Sequence, residues 1–260
     1  MDKQEKLRRY LKGLGRLAVA FSGGVDSAYL LKTAHDVLGN SCAALTVRAV
    51  TFPPRELDEA AAFCKSEGIK QYFIDMDVFG IDGFAQNPKN RCYICKTAML
   101  KKMRDKADEL GIEHIAEGTN KDDEGDYRPG LAAVAEQGII SPLREMGMTK
   151  AEIRQYSAAL GLYSSNKPSF ACLATRFEYG QRINAEDLGR ITAAEEFLTG
   201  LDLTQVRVRL HGDMARIEVL PTQFTLLCEN AQRICGRLTE LGFSHITMDL
   251  AGYGAGGNLT

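Results

Sequence analysis

The sequence lacks the charge balance and the apolar runs of several protein classes. It has 32 lysines and arginines against 34 aspartates and glutamates, and its net charge of -2 provides no basic excess for general nucleic-acid binding. The charged N-terminal stretch contains no apolar core long enough for a signal peptide. No later run is long and apolar enough to cross a bilayer. These absences predict a cytoplasmic protein without a membrane partner, and they argue against nucleic acid as a partner.

Two common kinds of site are missing as well. The four histidines show no metal-binding spacing, and there is no G-x-x-x-x-G-K-[ST] motif of the P-loop class. Seven cysteines in a reducing compartment do not indicate a disulfide framework. The pair Cys92 and Cys95 forms a C-x-x-C motif in a polar stretch and needs a specific explanation. Four others lie among apolar neighbours and are predicted to be small buried hydrophobic residues: Cys42, Cys64, Cys228 and Cys235.

The first part of the chain alternates strand and helix patterns. Strands that alternate with helices of this length predict βαβ units and a parallel sheet covered on both faces. A further short strand is predicted at 138–141, and a long helix is predicted to begin near Cys95 and end near 110. The apolar strands are predicted at 16–21, 43–50, 71–74 and 114–117.

The later part of the chain has a different pattern. A helix at 185–198 precedes two alternating strands, 205–210 and 215–220, whose Gly-Asp turn indicates a β-hairpin. One long helix (222–241) and a strand (246–250) complete this module. We therefore predict an α/β protein with a parallel-sheet domain and a smaller C-terminal α+β domain. The predicted bounds are 1–165 for the first domain, 166–179 for a junction, and 180–260 for the second domain.

A glycine-rich loop, Ser22-Gly23-Gly24-Val25-Asp26-Ser27, lies between the first strand and the next helix. The two glycines allow a tight turn that brings backbone N–H groups close to phosphate oxygens. Ser22 and Ser27 add hydroxyl donors, and the positive end of the helix favours an anion. Asp26 would repel phosphate unless Mg²⁺ lay between them, so it suggests a metal-bridged pyrophosphate. The alternative is a strand-to-helix turn that is merely rich in glycine.

Two other polar segments are candidates for ligand binding. The loop from Gly118 to Asp123 follows a strand, where parallel sheets place ligand loops, and its acids suit Mg²⁺; the alternative is an acidic surface loop. Arg207 and Arg209 alternate along a strand, so both side chains share one face. Two guanidinium groups on one face suit a phosphate, although a solvated strand face would show the same pattern.

Four motifs together carry a family resemblance. SGGVDS resembles the PP-loop of the ATP pyrophosphatase superfamily, which cleaves ATP between the α- and β-phosphates. With GTNKDD-x-x-DYRPG, SPL-x-E-x-G-x-TK-x-EIR and KPS-x-ACLATR-x-x-YG, the chain looks like the LarE family. The resemblance extends from the first loop through the C-terminal hairpin. It implies an adenine nucleotide α-hydrolase-like first domain.

The resemblance also implies a reaction. A carboxylate of pyridinium-3,5-biscarboxylic acid mononucleotide is adenylylated, pyrophosphate is released, and sulfur then displaces AMP to give a thiocarboxylate. ATP, Mg²⁺ and a sulfur donor are implied, as is a homo-oligomer such as a hexamer. The implied nucleotide-binding residues are Ser22, Gly23, Gly24, Asp26, Ser27, Gly118 and Asp123, and Arg207 and Arg209 are assigned to the substrate phosphate.

The cysteines decide the branch of the family. Cys172 matches the cysteine of the A-C-L-A motif, which in some members donates its own sulfur, and Arg176 and Glu195 are the accompanying catalytic candidates. The chain departs from those members by carrying Cys92 and Cys95. It resembles the branch in which three cysteines hold a [4Fe–4S] cluster with one open iron. A zinc site and a redox dithiol are the alternatives.

Two other functions fit parts of this pattern. A tRNA-thiolating PP-loop enzyme would combine the same loop with cysteines, but it should carry a basic RNA-binding module. A nucleotide-binding regulator with a structural zinc site would need no turnover. The hypothesis from the sequence is an ATP-dependent sulfur transferase of LarE type.

Overall fold

The computed structural model describes residues 2–125, 129–168 and 171–254. The chain forms two compact units. The first unit contains Met1–Ile81 and Asn90–Phe170, and the second contains Asp82–Lys89 and Ala171–Thr260. The assignment of the short segment Asp82–Lys89 to the second unit was not predicted from the sequence.

The sheet of the first unit has four parallel strands in the order β3-β2-β1-β4. Strand β1 (Leu17–Ala20) lies inside the sheet between β2 (Cys42–Arg48) and β4 (His114–Ala116), and β3 (Lys70–Asp75) forms an edge. Strands β1 and β2 are almost continuously buried, as expected for a parallel sheet that helices cover on both faces. The predicted α/β fold with a parallel sheet is confirmed. The short strand predicted at 138–141 appears as an isolated bridge between Ile140 and Ala116.

Helices pack around this sheet. Helix α2 begins directly after the glycine loop, and its residues Tyr29, Leu30 and Leu31 are fully buried in the core. Helix α4 begins at Arg91, one turn earlier than predicted, so Cys92 and Cys95 are helical residues. The helices of the first unit are α1 (Lys3–Gly13), α2 (Val25–Leu38), α3 (Pro54–Ser66), α4 (Arg91–Glu109), α5 (Pro129–Glu136), α6 (Pro142–Glu145) and α7 (Lys150–Ala159).

The second unit is an α+β structure. Strand β5 (Arg207–His211) pairs antiparallel with β6 (Met214–Glu218), which pairs parallel with β7 (His245–Met248). A 3-10 turn at Leu173–Arg176 precedes the helix α8 (Ala185–Thr199). The single helix predicted at 222–241 is wrong, because the chain breaks at Asn230, whose side-chain amide donates to the carbonyl of Leu226. The two separate helices are α9 (Phe224–Glu229) and α10 (Ala231–Glu240).

The prediction of four buried cysteines is correct for two of them. Cys42 and Cys64 are buried, and burial raises the pKa of each thiol to about 12, which keeps both protonated. Cys228 and Cys235 are exposed, because α9 and α10 present these positions to solvent. Within the described ranges, no helix has the length and apolar character needed to span a membrane.

Candidate functional site

The glycine loop lies at the carboxyl end of β1 and is held by its own serines. The Ser22 N–H donates to Ser27 Oγ at 3.3 Å, the two hydroxyl oxygens are 3.1 Å apart, and Ser27 Oγ donates to the Gly24 carbonyl at 3.1 Å. Gly23 has a φ of 76°, a conformation that favours glycine. Helix α2 follows with Gly24 as its N-cap and no capping side chain. The N–H groups of its first turn are therefore available to an anion.

Asp26 on this first turn is paired with Lys150, the first residue of α7. The Lys150 ammonium forms an ion pair with Asp26 Oδ2, and the Asn120 side chain donates to Asp26 Oδ1 at 3.3 Å. Burial raises the pKa of Asp26, Asp123 raises it further, and Lys150 and Asn120 oppose the shift. The sequence placed Lys150 inside a motif without giving it a role. The signal that could have found it is the Thr149 capping box, which fixes Lys150 at a helix start.

The loop after β4 packs directly against the start of α2. A Cβ atom added to Gly118 would lie 3.0 Å from the Ser27 backbone nitrogen and 3.2 Å from Asp26 Cβ, so this contact requires glycine. Asp123 accepts from the Asn120 N–H at 2.9 Å, which folds the loop back on itself. The structure therefore brings Gly118 and Asp123 to the glycine loop. The motif residues Asp126, Tyr127 and Arg128 lie outside the described residues.

Glu117 is a further polar residue of this site that the sequence reasoning missed. Its carboxylate is buried and accepts from the Thr119 N–H at 3.1 Å, the Thr119 hydroxyl at 2.8 Å and the Ser141 hydroxyl at 2.6 Å. Lys96 of helix α4 approaches it at 3.7 Å. This ion pair links the beginning of α4 to the loop after β4.

The C-x-x-C pair lies on the first turns of α4. Residues three apart share a helix face, so the thiols of Cys92 and Cys95 lie on the same side of the helix. Cys92 is exposed and Cys95 is half-buried, and an Arg91 guanidinium N–H donates to Cys92 Sγ at 3.4 Å. Two accessible thiols on one face fit a metal that prefers sulfur ligands.

Cys172 belongs to the second unit, where it immediately precedes the 3-10 turn. Its carbonyl accepts from the Thr175 N–H at 2.9 Å and from the Thr175 hydroxyl at 2.8 Å, and its side chain is half-buried. Its motif neighbours Ser169 and Phe170 lie outside the described residues. Across residues 2–125, 129–168 and 171–254, no group of three or more His, Cys, Asp or Glu side chains is arranged to hold a metal ion. The three-cysteine cluster therefore stays a prediction.

The second unit contains a group of buried charges that we call the arginine cluster: Arg176, Arg207, Arg209, Glu195 and Glu218. Arg176 makes a bidentate pair with Glu195 (2.7 and 3.0 Å), and Arg209 makes one with Glu218 (2.7 and 3.1 Å). Glu195 also accepts from the Val208 N–H at 2.9 Å. The sequence left open whether Glu195 is a base or an arginine partner, and the structure places it as the partner of Arg176.

Arg207 differs from the other two arginines. Among the described residues it forms no ion pair; one guanidinium N–H donates to the Gly254 carbonyl at 3.1 Å, and the group lies 4.4 Å from the Tyr253 ring centre. Burial lowers the pKa of Arg207, and the charges of Arg176 and Arg209 lower it further. Three buried guanidinium groups and two buried carboxylates leave one positive charge uncompensated within the part of the chain that the structure describes. Such a charge favours a bound anion.

Comparison with known proteins identifies relatives along nearly the whole chain. No family model matches the chain. It is 38% identical to an uncharacterised protein of Synechocystis over 98% of its length and 96% of that protein. It is 34% identical to the pyridinium-3,5-bisthiocarboxylic acid mononucleotide synthase of Lactiplantibacillus plantarum, over 98% of its length and 92% of the synthase. Its similarity to the argininosuccinate synthase of Methylococcus capsulatus, 27% identity, covers 56% of the chain and 40% of that enzyme.

Proposed function

The chain belongs to the family of the pyridinium-3,5-bisthiocarboxylic acid mononucleotide synthase, the LarE family, and from this premise we propose that it is an ATP-dependent sulfur transferase. Its substrate would be pyridinium-3,5-biscarboxylic acid mononucleotide. The observation that carries the proposal is the convergence of three segments at the carboxyl end of β1. The glycine loop, the loop after β4 and the start of α7 meet there through Gly118, Asp26 and Lys150.

This convergence suits the phosphates of ATP. The glycine loop and the first turn of α2 offer N–H donors, and Ser22 and Ser27 offer hydroxyl groups. Asp26 would hold Mg²⁺, since a carboxylate oxygen is the ligand that Mg²⁺ prefers. The charge of the metal ion would offset that of the phosphates. The Lys150 ammonium would then leave Asp26 and pair with a phosphate oxygen. Because this ion pair is partly exposed, the exchange costs less than it would at a fully buried pair.

The first step activates a poor electrophile. A carboxylate oxygen of the substrate attacks the α-phosphorus of ATP, and the bond from that phosphorus to the bridging oxygen breaks. Pyrophosphate leaves with the electron pair, and the product is an acyl-adenylate. Lys150 and the N–H groups at the start of α2 would stabilise the charge that develops on pyrophosphate.

The second step transfers sulfur. A sulfur nucleophile attacks the acyl carbon, the bond to the AMP oxygen breaks, and AMP leaves with the electron pair to give a thiocarboxylate. Cys92, Cys95 and Cys172 would hold a [4Fe–4S] cluster, which would supply sulfur at the oxidation level of sulfide. The thiol donors fit such a cluster, and a sulfur donor must replenish the sulfide.

The arginine cluster suits the phosphate of the mononucleotide. Arg207 supplies the uncompensated charge, and Arg176 and Arg209, each neutralised by its paired carboxylate, flank it in fixed positions. Bidentate pairing fixes the positions of both guanidinium groups before a ligand binds. Binding therefore requires little further loss of conformational freedom in these side chains. A homo-oligomer, implied by the family resemblance, and a cytoplasmic location, predicted from the sequence, both stay predictions.

A pyrophosphate-release assay tests the activation step. We expect release only when ATP, Mg²⁺ and the dicarboxylate mononucleotide are all present. An absence of release under these conditions would reject the proposed function and would favour a nucleotide-binding regulator. Saturable, tight binding of tRNA in a filter assay would instead favour a tRNA-thiolating enzyme.

Metal content of anaerobically purified protein tests the cluster. We expect a brown protein with about four irons per chain, as in a [4Fe–4S] cluster. The variant Cys92→Ala should lose the iron but retain adenylylation, and Cys228→Ala, an exposed cysteine on α9, is the matched control that should retain both. A colourless protein with one zinc per chain would exclude the cluster.

A further inference from the structure

Local sterics restrict the orientation of the peptide between Gly23 and Gly24 less than any other part of the glycine loop. Rotating a peptide plane changes ψ of the residue before it and φ of the residue after it. Both flanking residues lack a Cβ atom, so either orientation is sterically open to the isolated loop. Only one orientation points an N–H donor at a bound phosphate. The opposite one points a carbonyl oxygen there, which would repel the anion.

Two side chains from a distant segment contact this peptide. The Tyr163 hydroxyl donates to the Gly23 carbonyl oxygen at 2.9 Å, and the Lys167 ammonium lies 3.5 Å from the same oxygen. The described backbone contains no cis peptide, so the C=O and N–H of each peptide point in opposite directions. Fixing the Gly23 carbonyl therefore fixes the Gly24 N–H on the opposite side. That N–H donates to Ser22 Oγ, which lies 3.5 Å from the nitrogen.

Tyr163 is held in place by aromatic packing. Its ring centre lies 5.4 Å from that of Phe63 on α3, and Phe63 lies 5.6 Å from Phe21, the residue immediately before the loop. Burial of the hydroxyl raises the pKa of Tyr163, and the charges of Glu59 and Glu56 raise it further. The phenol consequently keeps its proton and remains a donor at any working pH.

Lys167 is held by charge and by its backbone. Its ammonium pairs with Glu56 at 2.8 Å and Glu59 at 2.7 Å, both on α3. The two terminal nitrogens of Arg154, on α7, donate to the carbonyls of Ser165 (2.6 Å) and Lys167 (2.9 Å). The segment from Tyr163 to Lys167 is therefore anchored to α3 and α7 as well as to the glycine loop.

We propose that Tyr163 and Lys167 are positioning residues for nucleotide binding: they hold the Gly23 carbonyl away from the phosphates so that the Gly24 N–H faces them. The inference rests on the proposed use of this loop for ATP. It adds two residues that touch no substrate and act through the orientation of one peptide. The φ of Gly23, 76°, favours glycine, whereas an added Cβ would lie at ordinary contact distance, 3.4 Å, from the Tyr163 hydroxyl.

The test is the variant Tyr163→Phe, which keeps the ring and its packing on Phe63. We expect the Kd for Mg·ATP to rise about three- to tenfold, the effect of one lost hydrogen bond. The Kd for adenosine, which has no phosphate, should stay unchanged. Lys167→Met should raise the Kd for Mg·ATP in the same direction and should likewise leave adenosine binding unchanged.

Tyr156→Phe is the matched control. Its hydroxyl donates to Asp2 at 2.8 Å and its ring stacks on Tyr29 at 5.9 Å, so it loses a similar hydrogen bond outside the glycine loop. An unchanged Kd for Mg·ATP in Tyr163→Phe would overturn the proposal. Equal losses for ATP and adenosine would also overturn it, since they would indicate general damage. Wild-type protein that binds no ATP would reject the proposed function instead.

Discussion

The two units hold their charged residues in opposite ways. At the glycine loop, Lys150 and Asp26 form a single ion pair whose side chains are 30% and 20% exposed. In the arginine cluster, the Arg209 and Glu218 side chains are only 1% and 5% exposed and pair through two hydrogen bonds. A solvent-accessible pair is worth little and can exchange partners, whereas a buried pair is costly to break. The first arrangement suits a ligand that comes and goes, and the second suits a fixed frame.

The two sites also differ in the kind of backbone that carries their residues. The arginine cluster lies on regular structure, since Arg207 and Arg209 are on β5, Glu218 is on β6 and Glu195 is on α8. The nucleotide candidate site consists of loops that meet at strand ends. Its geometry therefore depends on close contacts between segments, such as the one at Gly118. The charged side chains of the second unit are therefore positioned by the helix and strands that carry them. The loops of the first unit are positioned by contacts with segments far away in the chain.

The largest effect is expected from Glu195→Ala, because it removes the carboxylate that pairs with the buried Arg176 guanidinium and accepts from the Val208 N–H. We expect a loss of about 3–5 kcal/mol in the free energy of unfolding, measured by urea denaturation. Glu109→Ala, which removes a surface pair with Lys106, is the control and should cost at most about 1 kcal/mol. Similar losses in both variants would break the comparison.

Gly118→Ala tests whether the nucleotide candidate site depends on the close approach of the loop after β4 to the start of α2. The new methyl group would meet the backbone nitrogen of Ser27, which cannot move without shifting the start of α2. We expect the affinity for Mg·ATP to fall about 10- to 100-fold in a calorimetric titration. The control Gly236→Ala has open space in α10 and should stabilise the protein by up to about 1 kcal/mol. Unchanged ATP affinity in Gly118→Ala would show that the loops adapt to the added group.

The variant Lys150→Met is expected to impair function strongly while it changes stability little. We expect the free energy of unfolding to change by less than about 1 kcal/mol, because the pair is partly exposed. Pyrophosphate release should nevertheless fall about tenfold or more. Since Lys150 lowers the pKa of Asp26, its removal raises that pKa, and the acid side of the pH–rate profile should move to higher pH. A destabilisation as large as that of Glu195→Ala would contradict the contrast between the two units.

The smallest effect is expected from Glu152→Gln, at the capping box of α7. The Lys3 ammonium and then the Thr149 N–H lower the pKa of Glu152 from 4.5 to about 2. A depressed carboxyl pKa stabilises the folded state above pH 4.5, and the stabilisation is lost as the pH falls toward about 2. We expect the thermal midpoint at pH 7 to fall by about 1–3 °C, and the difference from wild type to shrink below pH 4.5. A difference that is independent of pH would be inconsistent with this origin.

Much of the fold was predictable because hydrophobic periodicity is local. The apolar stretches at β1 and β2 and the glycine loop between β1 and α2 indicated the parallel sheet and one end of the site. The predictions failed at the ends of helices. The helix predicted at 222–241 breaks at Asn230, and α4 begins at Arg91, before its apolar pattern becomes clear.

The site shows the same division. The residue types of the glycine loop indicated phosphate binding, because glycine freedom, hydroxyl donors and a helix start are properties of neighbouring residues. The partners of those residues lie far away in the chain: Lys150 pairs with Asp26, and Tyr163 bonds to Gly23. No local pattern predicts such pairings, because they depend on which segments the packed sheet brings together.

By itself, the sequence determined the fold class, the glycine loop and the family motifs, since each depends on residues close together in the chain. Only the tertiary structure decided which charges are paired, that among the described residues Arg207 has no carboxylate partner while Arg176 and Arg209 each have one, and which way the Gly23 carbonyl points. The physical reason is that burial and long-range hydrogen bonds, and not residue type, set the energy of each of these groups.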